Sequence, residues 1–319
     1  MIEYRIVADA ARQAERGHDD LACTDARRAH AQFMLGEAFS GAGAYREAEA
    51  AYVAARPLLP DIEYFTWQRI GVVRKAQEDL KGAEEAYRAA LVKAPDFTNA
   101  NSIRRNIADL ALSQGKTADA VDQYDALRGT ATTGALAAEM QYLAGTALAQ
   151  RGLVAAVATA FSPTSVPGAT PSPVPAPPEA VKRWRAAVDA DITSKWAHSA
   201  IVALLDAGET VDEFQRGAAN YHNGVYALAI AAFDRLRQAS GNNTNPLAWY
   251  YAGLSHIGLG DLETGLSELD TFVAKAPQSP QAPEAQYAKA RARQRVDRDT
   301  EAVQQYQVVA QRWPTAPAA

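Results

Sequence analysis

A distance of twelve residues recurs along this chain and constrains its fold more than any other feature. Six times a small residue is followed twelve positions later by another: Gly36 and Ala48, Gly71 and Ala83, Ala108 and Ala120, Gly217 and Ala229, Gly253 and Gly265, Ala290 and Ala302. Four residues after the second stands a large side chain, in order Tyr52, Tyr87, Tyr124, Phe233, Leu269 and Tyr306. Small residues let two helices cross closely where a larger side chain would hold them apart. A residue four positions on lies one turn along the same helical face and fills the space beside them. An irregular helical bundle has no reason to keep a fixed offset, so the pattern predicts a series of helical hairpins.

Punctuation agrees with that reading. Gly43, Gly115, Gly224 and Gly260 stand between the two halves of their repeats, where a helix ends on a left-handed residue. Pro60, Pro95, Pro277 and Pro314 close repeats, where a missing N–H stops the second helix. Abundant alanine with little Ile or Phe favours helix over strand.

These residues carry a resemblance to tetratricopeptide repeats, which read W-x-x-L-G-x-x-Y, then A-x-x-x-F, then P over about 34 residues. The chain shows Leu35-Gly36-x-x-Phe39, Trp67-x-x-Ile70-Gly71 and Trp249-x-x-Ala252-Gly253, with 35, 37, 36 and 37 residues between successive anchors. Arg74 stands where an aromatic is usual. The resemblance implies an all-α fold, a right-handed α-α superhelix of about seven hairpins.

The series is interrupted once. A fourth repeat begins around Gly145 and Gly152, and then residues 162–178 hold seven prolines, which predicts non-helical chain. Ala180-x-x-x-Trp184-x-x-Ala187 restores the second-helix signature, so the proline stretch reads as an insertion between the helices of one hairpin. Pro175-x-x-Pro178 matches a minimal ligand for proline-reading domains, but no basic residue flanks it and a solvated loop is preferred. Residues 195–207 read as a further apolar helix. The expected organisation is N-terminal repeats over 1–161, a proline-rich linker over 162–178 and C-terminal repeats over 179–319.

Several chemistries find no support. The net charge of −5 comes without a basic run, which argues against a nucleic-acid footprint. Cys23 stands alone, and His18, His30, His198, His222 and His256 are too dispersed for metal-ligand spacing, so no metal or other cofactor is expected. Gly115-Lys116-Thr117 resembles the end of a phosphate-binding loop, but Leu110 occupies the required glycine position. Glu84-Glu85 and Asp19-Asp20 are expected in solvated surroundings, unsuited to a carboxyl whose pKa must be raised. No apolar run approaches the roughly 20 residues that span a bilayer. The N-terminal segment lacks the features of a signal peptide. Taken as it stands the chain reads as cytoplasmic, and as part of the cell envelope if its start is truncated.

Function is sought in the concave groove that the first helices of such repeats line. Tetratricopeptide arrays that clamp a terminal carboxylate use Lys and then Asn four residues later. The matching pairs here are Phe33/Glu37, Gln68/Val72 and Arg105/Asp109, so that clamp is not expected. By helical phase Tyr221, Tyr250, Tyr287 and Arg291 line the groove of the C-terminal repeats, or pack between them.

A narrower resemblance covers roughly residues 196–316. The run from Asp206 to Gly217 with Tyr221, Tyr226 and Ala229, and Pro277-Gln-Ser-Pro280 followed by Ala285-x-Tyr287-x-Lys289-Ala290, are similar to the helical superhelix of bacterial soluble lytic transglycosylases. In that family the superhelix precedes a lysozyme-like domain, whose Glu-Ser pair is absent here. Two readings follow: a non-catalytic scaffold for a peptide or protein partner, or the scaffold region of a cell-wall enzyme engaging peptidoglycan.

Overall fold

The computed structural model describes residues 21–95, 100–160 and 175–314. Among these there are fifteen α-helices and no strand. They divide into two compact units, one formed by residues up to 130 with 146–161, the other by 131–145 with 162–319.

The first unit contains α1 (Leu21–Gly41), α2 (Tyr45–Ala55), α3 (Glu63–Ala76), α4 (Leu80–Lys93), α5 (Ala100–Ser113) and α6 (Thr117–Gly129). They pair as three hairpins. Helix α7 (Gly134–Ala160) follows, its residues up to 145 belonging to the second unit. That unit continues with α8 (Pro178–Ala190), α9 (Lys195–Asp206), α10 (Glu213–His222), α11 (Tyr226–Ser240), α12 (Leu247–Gly258), α13 (Leu262–Lys275), α14 (Ala282–Gln294) and α15 (Asp299–Arg312).

The twelve-residue offset marks helix crossings. A Cβ at Gly36 would lie 2.5 Å from the Tyr52 ring, at Gly71 2.5 Å from Tyr87, and at Gly217 2.5 Å from Phe233. Each aromatic is thus seated in the space a side chain would have taken, and Tyr52, Tyr87 and Phe233 are fully buried. Complete burial pushes the Tyr87 phenol up to about 12. At the Gly253–Gly265 crossing the partner is backbone, with a Cβ at Gly253 lying 2.9 Å from the Gly265 carbonyl oxygen.

The same backbone turn joins six hairpins. Gly43, Gly115, Gly224 and Gly260 have φ of 76°, 73°, 74° and 88°. Glu78 (64°) and Asp297 (59°) take that conformation without glycine. In each case the following N–H reaches back five residues: Ala44 to Phe39, Asp79 to Arg74, Lys116 to Ala111, Val225 to Asn220, Asp261 to His256 and Arg298 to Arg293, all at 2.8–3.0 Å. This Schellman bond satisfies a helix-end carbonyl that would otherwise lack a donor.

Helices α4, α13 and α15 end two residues before Pro95, Pro277 and Pro314, since the residue preceding proline avoids the helical region. Pro60 does not end α2. That helix stops at Ala55, and Pro57 and Pro60 each sit early in a short 3₁₀ turn. Pro178 belongs to helix rather than to the non-helical stretch, as the first residue of α8, where the lost N–H would have had no helical partner. Helix α7 runs on through Gly152 to Ala160.

In the second unit the first part of α7 lies antiparallel to α8. A Cβ at Gly134 would fall 2.7 Å from the Ala190 carbonyl, and one at Gly145 2.7 Å from the Trp184 ring. The two helices flanking residues 161–177 therefore pack as a hairpin. Helix α9 is an additional helix against α8, begun by Ser194, whose Oγ accepts from the Ala197 N–H at 3.1 Å.

In the first unit two carboxylates, Glu49 half-buried and Glu84 buried, tie neighbouring hairpins together. Glu49 of α2 accepts from Arg74 (2.7 Å), in the last turn of α3, and from Gln77 (2.9 Å), just past the end of that helix. Thirty-five residues on, Glu84 of α4 accepts from Arg88 (2.7 Å), Gln114 (3.1 Å) and Lys116 (3.0 Å). Arg74, which replaces the usual aromatic, also donates to the Gly82 carbonyl at 3.2 Å and so joins its own two helices. Glu84 is buried, not solvated as expected from its polar neighbours in sequence. Burial alone would raise its pKa, but the hydrogen bonds from Arg88, Lys116 and Gln114 outweigh it and hold the carboxyl below its ordinary value. A carboxylate kept charged in this way is a structural tie, not a proton donor.

Candidate functional site on the tyrosine face of the second unit

Helices α10, α12 and α14 are the first helices of three successive hairpins. Tyr221 lies in the last turn of α10, Tyr250 in the first turn of α12, and Tyr287 and Arg291 on α14. The structure brings Tyr221 and Tyr250 together around Tyr251, whose ring centroid is 5.1 Å from each. His222 and Tyr226 complete the group, 5.0 and 6.1 Å from Tyr221. These rings meet at inclined angles of 45–69°, the arrangement that aromatic quadrupoles favour.

Burial differs among the four residues. Tyr250 is 7% exposed, its ring set against Phe272 (5.2 Å) and the core of α12, α13 and α14. Tyr221 is half-buried against the core around Phe233. Tyr287 is half-buried and packs on Tyr306 at 5.7 Å, while Arg291 is exposed with its guanidinium 5.9 Å from the Tyr287 ring. Tyr287 and Arg291 thus form a second pair, one turn or more along α14.

Glu284 is the member that the sequence reading missed. It lies three residues before Tyr287 and seven before Arg291, on the same helical face, and the i, i+3, i+7 spacing alone would have found it. Burial pushes the Tyr221 phenol up to about 12, and Tyr226, Tyr251 and the Glu284 charge add to that. Burial likewise raises Tyr250, with Tyr221, Glu284 and Tyr251 acting in the same direction. The Glu284 carboxylate therefore acts on both phenols. Burial lowers the His222 imidazole below its ordinary value against the pull of Asp191, so this ring is neutral near pH 7.

Other singled-out residues have local roles. Lys116 of the Gly-Lys-Thr tripeptide is bound to Glu84, in a turn that follows a helix rather than a strand. Glu37, at a position where the carboxylate clamp needs Asn, accepts from the Tyr52 hydroxyl at 2.6 Å and pairs with Arg69 at 2.9 Å. The site is anionic where a carboxylate-binding site must not be. His256 Nδ1 lies 3.0 Å from Asp261. Among the described residues no group of three or more His, Cys, Asp or Glu could hold a metal ion, and no helix is long and apolar enough to cross a membrane. His18 and the Asp19-Asp20 pair lie outside the described residues, as does the side chain of Cys23.

The repeats can now be compared with known proteins. The model of the tetratricopeptide repeat family matches residues 105–162 and 248–317, which span most of α5 to α7 and α12 to α15. Over those two stretches the chain matches tetratricopeptide repeats. Outside the matched stretches the Gly36–Tyr52, Gly71–Tyr87 and Gly217–Phe233 crossings reproduce the geometry of the repeat.

A search of curated proteins found no match. Solved structures similar to this chain include a tetratricopeptide repeat protein from Parabacteroides merdae (14% identity, 89% of this chain and 92% of that one, TM-score 0.39). Others are the TPR2AB domain of yeast Sti1 in complex with pHSP90 (13%, 89% and 90%, TM-score 0.33) and yeast Tom70 (14%, 91% and 70%, TM-score 0.36).

Proposed function

We propose that this chain is a non-catalytic scaffold for protein–protein interaction, and that its second unit takes an extended peptide across Tyr221, Tyr250, Tyr287 and Arg291. The observation that carries this reading is the gathering of Tyr221 and Tyr250 around Tyr251 from two successive first helices, with the Tyr287–Arg291 pair on the next first helix. Tyrosine gives large contact area at low entropic cost, and arginine adds charge-assisted hydrogen bonds, so both are suited to anchoring a partner. Arg291 is the exposed anchor and Tyr250 the buried one, whose ring shapes the floor.

The test is selection of random displayed peptides on the full chain, followed by titration of a selected peptide against Arg291→Ala and Tyr287→Ala. A loss of about tenfold or more in affinity for each variant is expected. Selection that enriches nothing, or binding indifferent to both changes, would overturn the groove. Retention of the chain on insoluble peptidoglycan, with no enriched peptide, would replace the scaffold by the cell-wall reading of the transglycosylase resemblance.

A further inference from the structure

The second helices meet the next hairpin along one stripe. The residue after the second small residue of a crossing points that way: Glu49 on α2 accepts from Arg74 and Gln77, and Glu84 on α4 from Gln114 and Lys116. Asp270 of α13, five past its small residue Gly265, pairs with Lys289 of α14. Val273, eight past it, shares a buried cluster with Ala285 of α14. Places one, five and eight past the small residue fall on one side of a helix, and the hairpins stack through that side.

Helix α15 is the last of the described helices, and among them none covers its stripe. The matching residues are Val303, Gln307 and Ala310, with Tyr306 beside them. Gln307 and Ala310 are exposed and Val303 is 53% exposed, whereas Leu266 and Val273, at the places of Val303 and Ala310 in α13, are 4% and 9% exposed. From Ala302 to Gln311 α15 holds no charged residue. The outward side of a surface helix ordinarily carries charge, and a repeat that caps an array needs a polar outer face. This stripe has instead the composition of one that stacks on another helix.

We infer that the stripe of α15 is a contact between two copies of the chain, packed antiparallel about a twofold axis between Tyr306 and Gln307. In that arrangement the face is its own complement. Val303 falls opposite the partner's Ala310 and Tyr306 opposite the partner's Gln307, so each larger side chain meets a smaller one and the helices approach closely. The two Gln307 amides flank the axis, and each carries donors and an acceptor to exchange with the other. A charged stripe would repel its own copy; this one brings no like charges together. One helix from each copy makes a small interface, so the pair forms at high concentration only.

Sedimentation velocity on the full chain tests the contact. The expected result is a monomer at about 5 µM and a dimer that accumulates toward about 500 µM. Val303→Glu should leave the chain monomeric over that range. Combining Val303→Glu with Ala310→Lys sets opposite charges face to face twice across the axis, and should restore the dimer at about 50 mM salt. Both positions are exposed, so the variants keep the fold, which an unchanged thermal melt verifies. A wild type that stays monomeric to about 500 µM, or a dimer indifferent to Val303→Glu, would overturn the contact. A combined variant that stays monomeric like Val303→Glu would overturn the twofold pairing.

Discussion

Gly253 of α12 and Gly265 of α13 meet at a helix crossing where backbone faces backbone. A Cβ at Gly253 would lie 2.9 Å from the Gly265 carbonyl oxygen and 2.9 Å from Leu269 Cγ. Ordinary contact begins about half an ångström farther out, and a helical carbonyl cannot swing aside as a side-chain tip can. Leucine at 253 adds three more carbons to that gap, so α12 and α13 must separate. Overpacking of this kind costs about 1–3 kcal/mol, and leucine belongs at the upper end. Its better helix propensity returns about 0.8 kcal/mol, leaving a net loss of about 2 kcal/mol. In a repeat array the loss falls on the affected hairpin and its neighbours, so it is read locally. Amide hydrogen exchange resolves it: openings of α12 and α13 should become about 30-fold more frequent, while those of α3 and α4 stay unchanged. Gly129→Ala, at the end of α6 with nothing within 4 Å, is the control and should be neutral or slightly stabilising. Unchanged protection of α12 and α13 in Gly253→Leu would refute the close crossing, and with it the reason given for the twelve-residue offset.

Two further outcomes follow from the first unit. Glu84→Gln removes the charge that Arg88 and Lys116 share, and should lower stability by about 1 kcal/mol at pH 7, measured by the urea midpoint. Because the folded carboxyl lies below its ordinary value, the contribution of Glu84 is complete above the unfolded value of about 4.3 and disappears as pH falls through the folded one. The wild type and Glu84→Gln should therefore converge in stability toward pH 3, and a constant difference there would contradict the charged tie. Gly115→Ala meets no neighbour within 4 Å but must hold φ near 73°, which costs about 1 kcal/mol. A calorimetric melt of that variant indistinguishable from wild type would show that the turn between α5 and α6 tolerates another conformation.

The hairpins were legible because their determinants are local. A glycine or alanine at one end of a fixed offset, an aromatic four residues past the other, and a glycine between them specify a crossing and a turn within about 20 residues. The two turns without glycine were not legible. Glu78 and Asp297 hold positive φ because the Asp79-to-Arg74 and Arg298-to-Arg293 bonds require it; aspartate tolerates that conformation better than most residues, but glutamate does nothing to announce it. Pro178 shows the limit of composition: one more proline in a proline-rich run, it is nevertheless the first residue of a helix.

The candidate site was legible in part. Helical phase placed Tyr221, Tyr250, Tyr287 and Arg291 on first helices, but it says nothing about depth. Tyr250 is buried and Arg291 exposed, and that difference comes from how α12 and α14 pack, over contacts between Tyr250 and Ala285 35 residues apart. Glu84 makes the same point in the first unit. In the sequence it is one of two adjacent glutamates. In the structure a lysine 32 residues away and a glutamine 30 away turn it into a buried tie.

The sequence by itself determined the all-α fold, the hairpin as its unit, and the places where helices cross and turn, because each depends on residues close along the chain. Only the tertiary structure decided which carboxylate is buried and which is exposed. Those properties depend on what neighbouring hairpins bring within a few ångströms, and the repeat pattern that guarantees the stacking leaves the identity of the stacked side chains free.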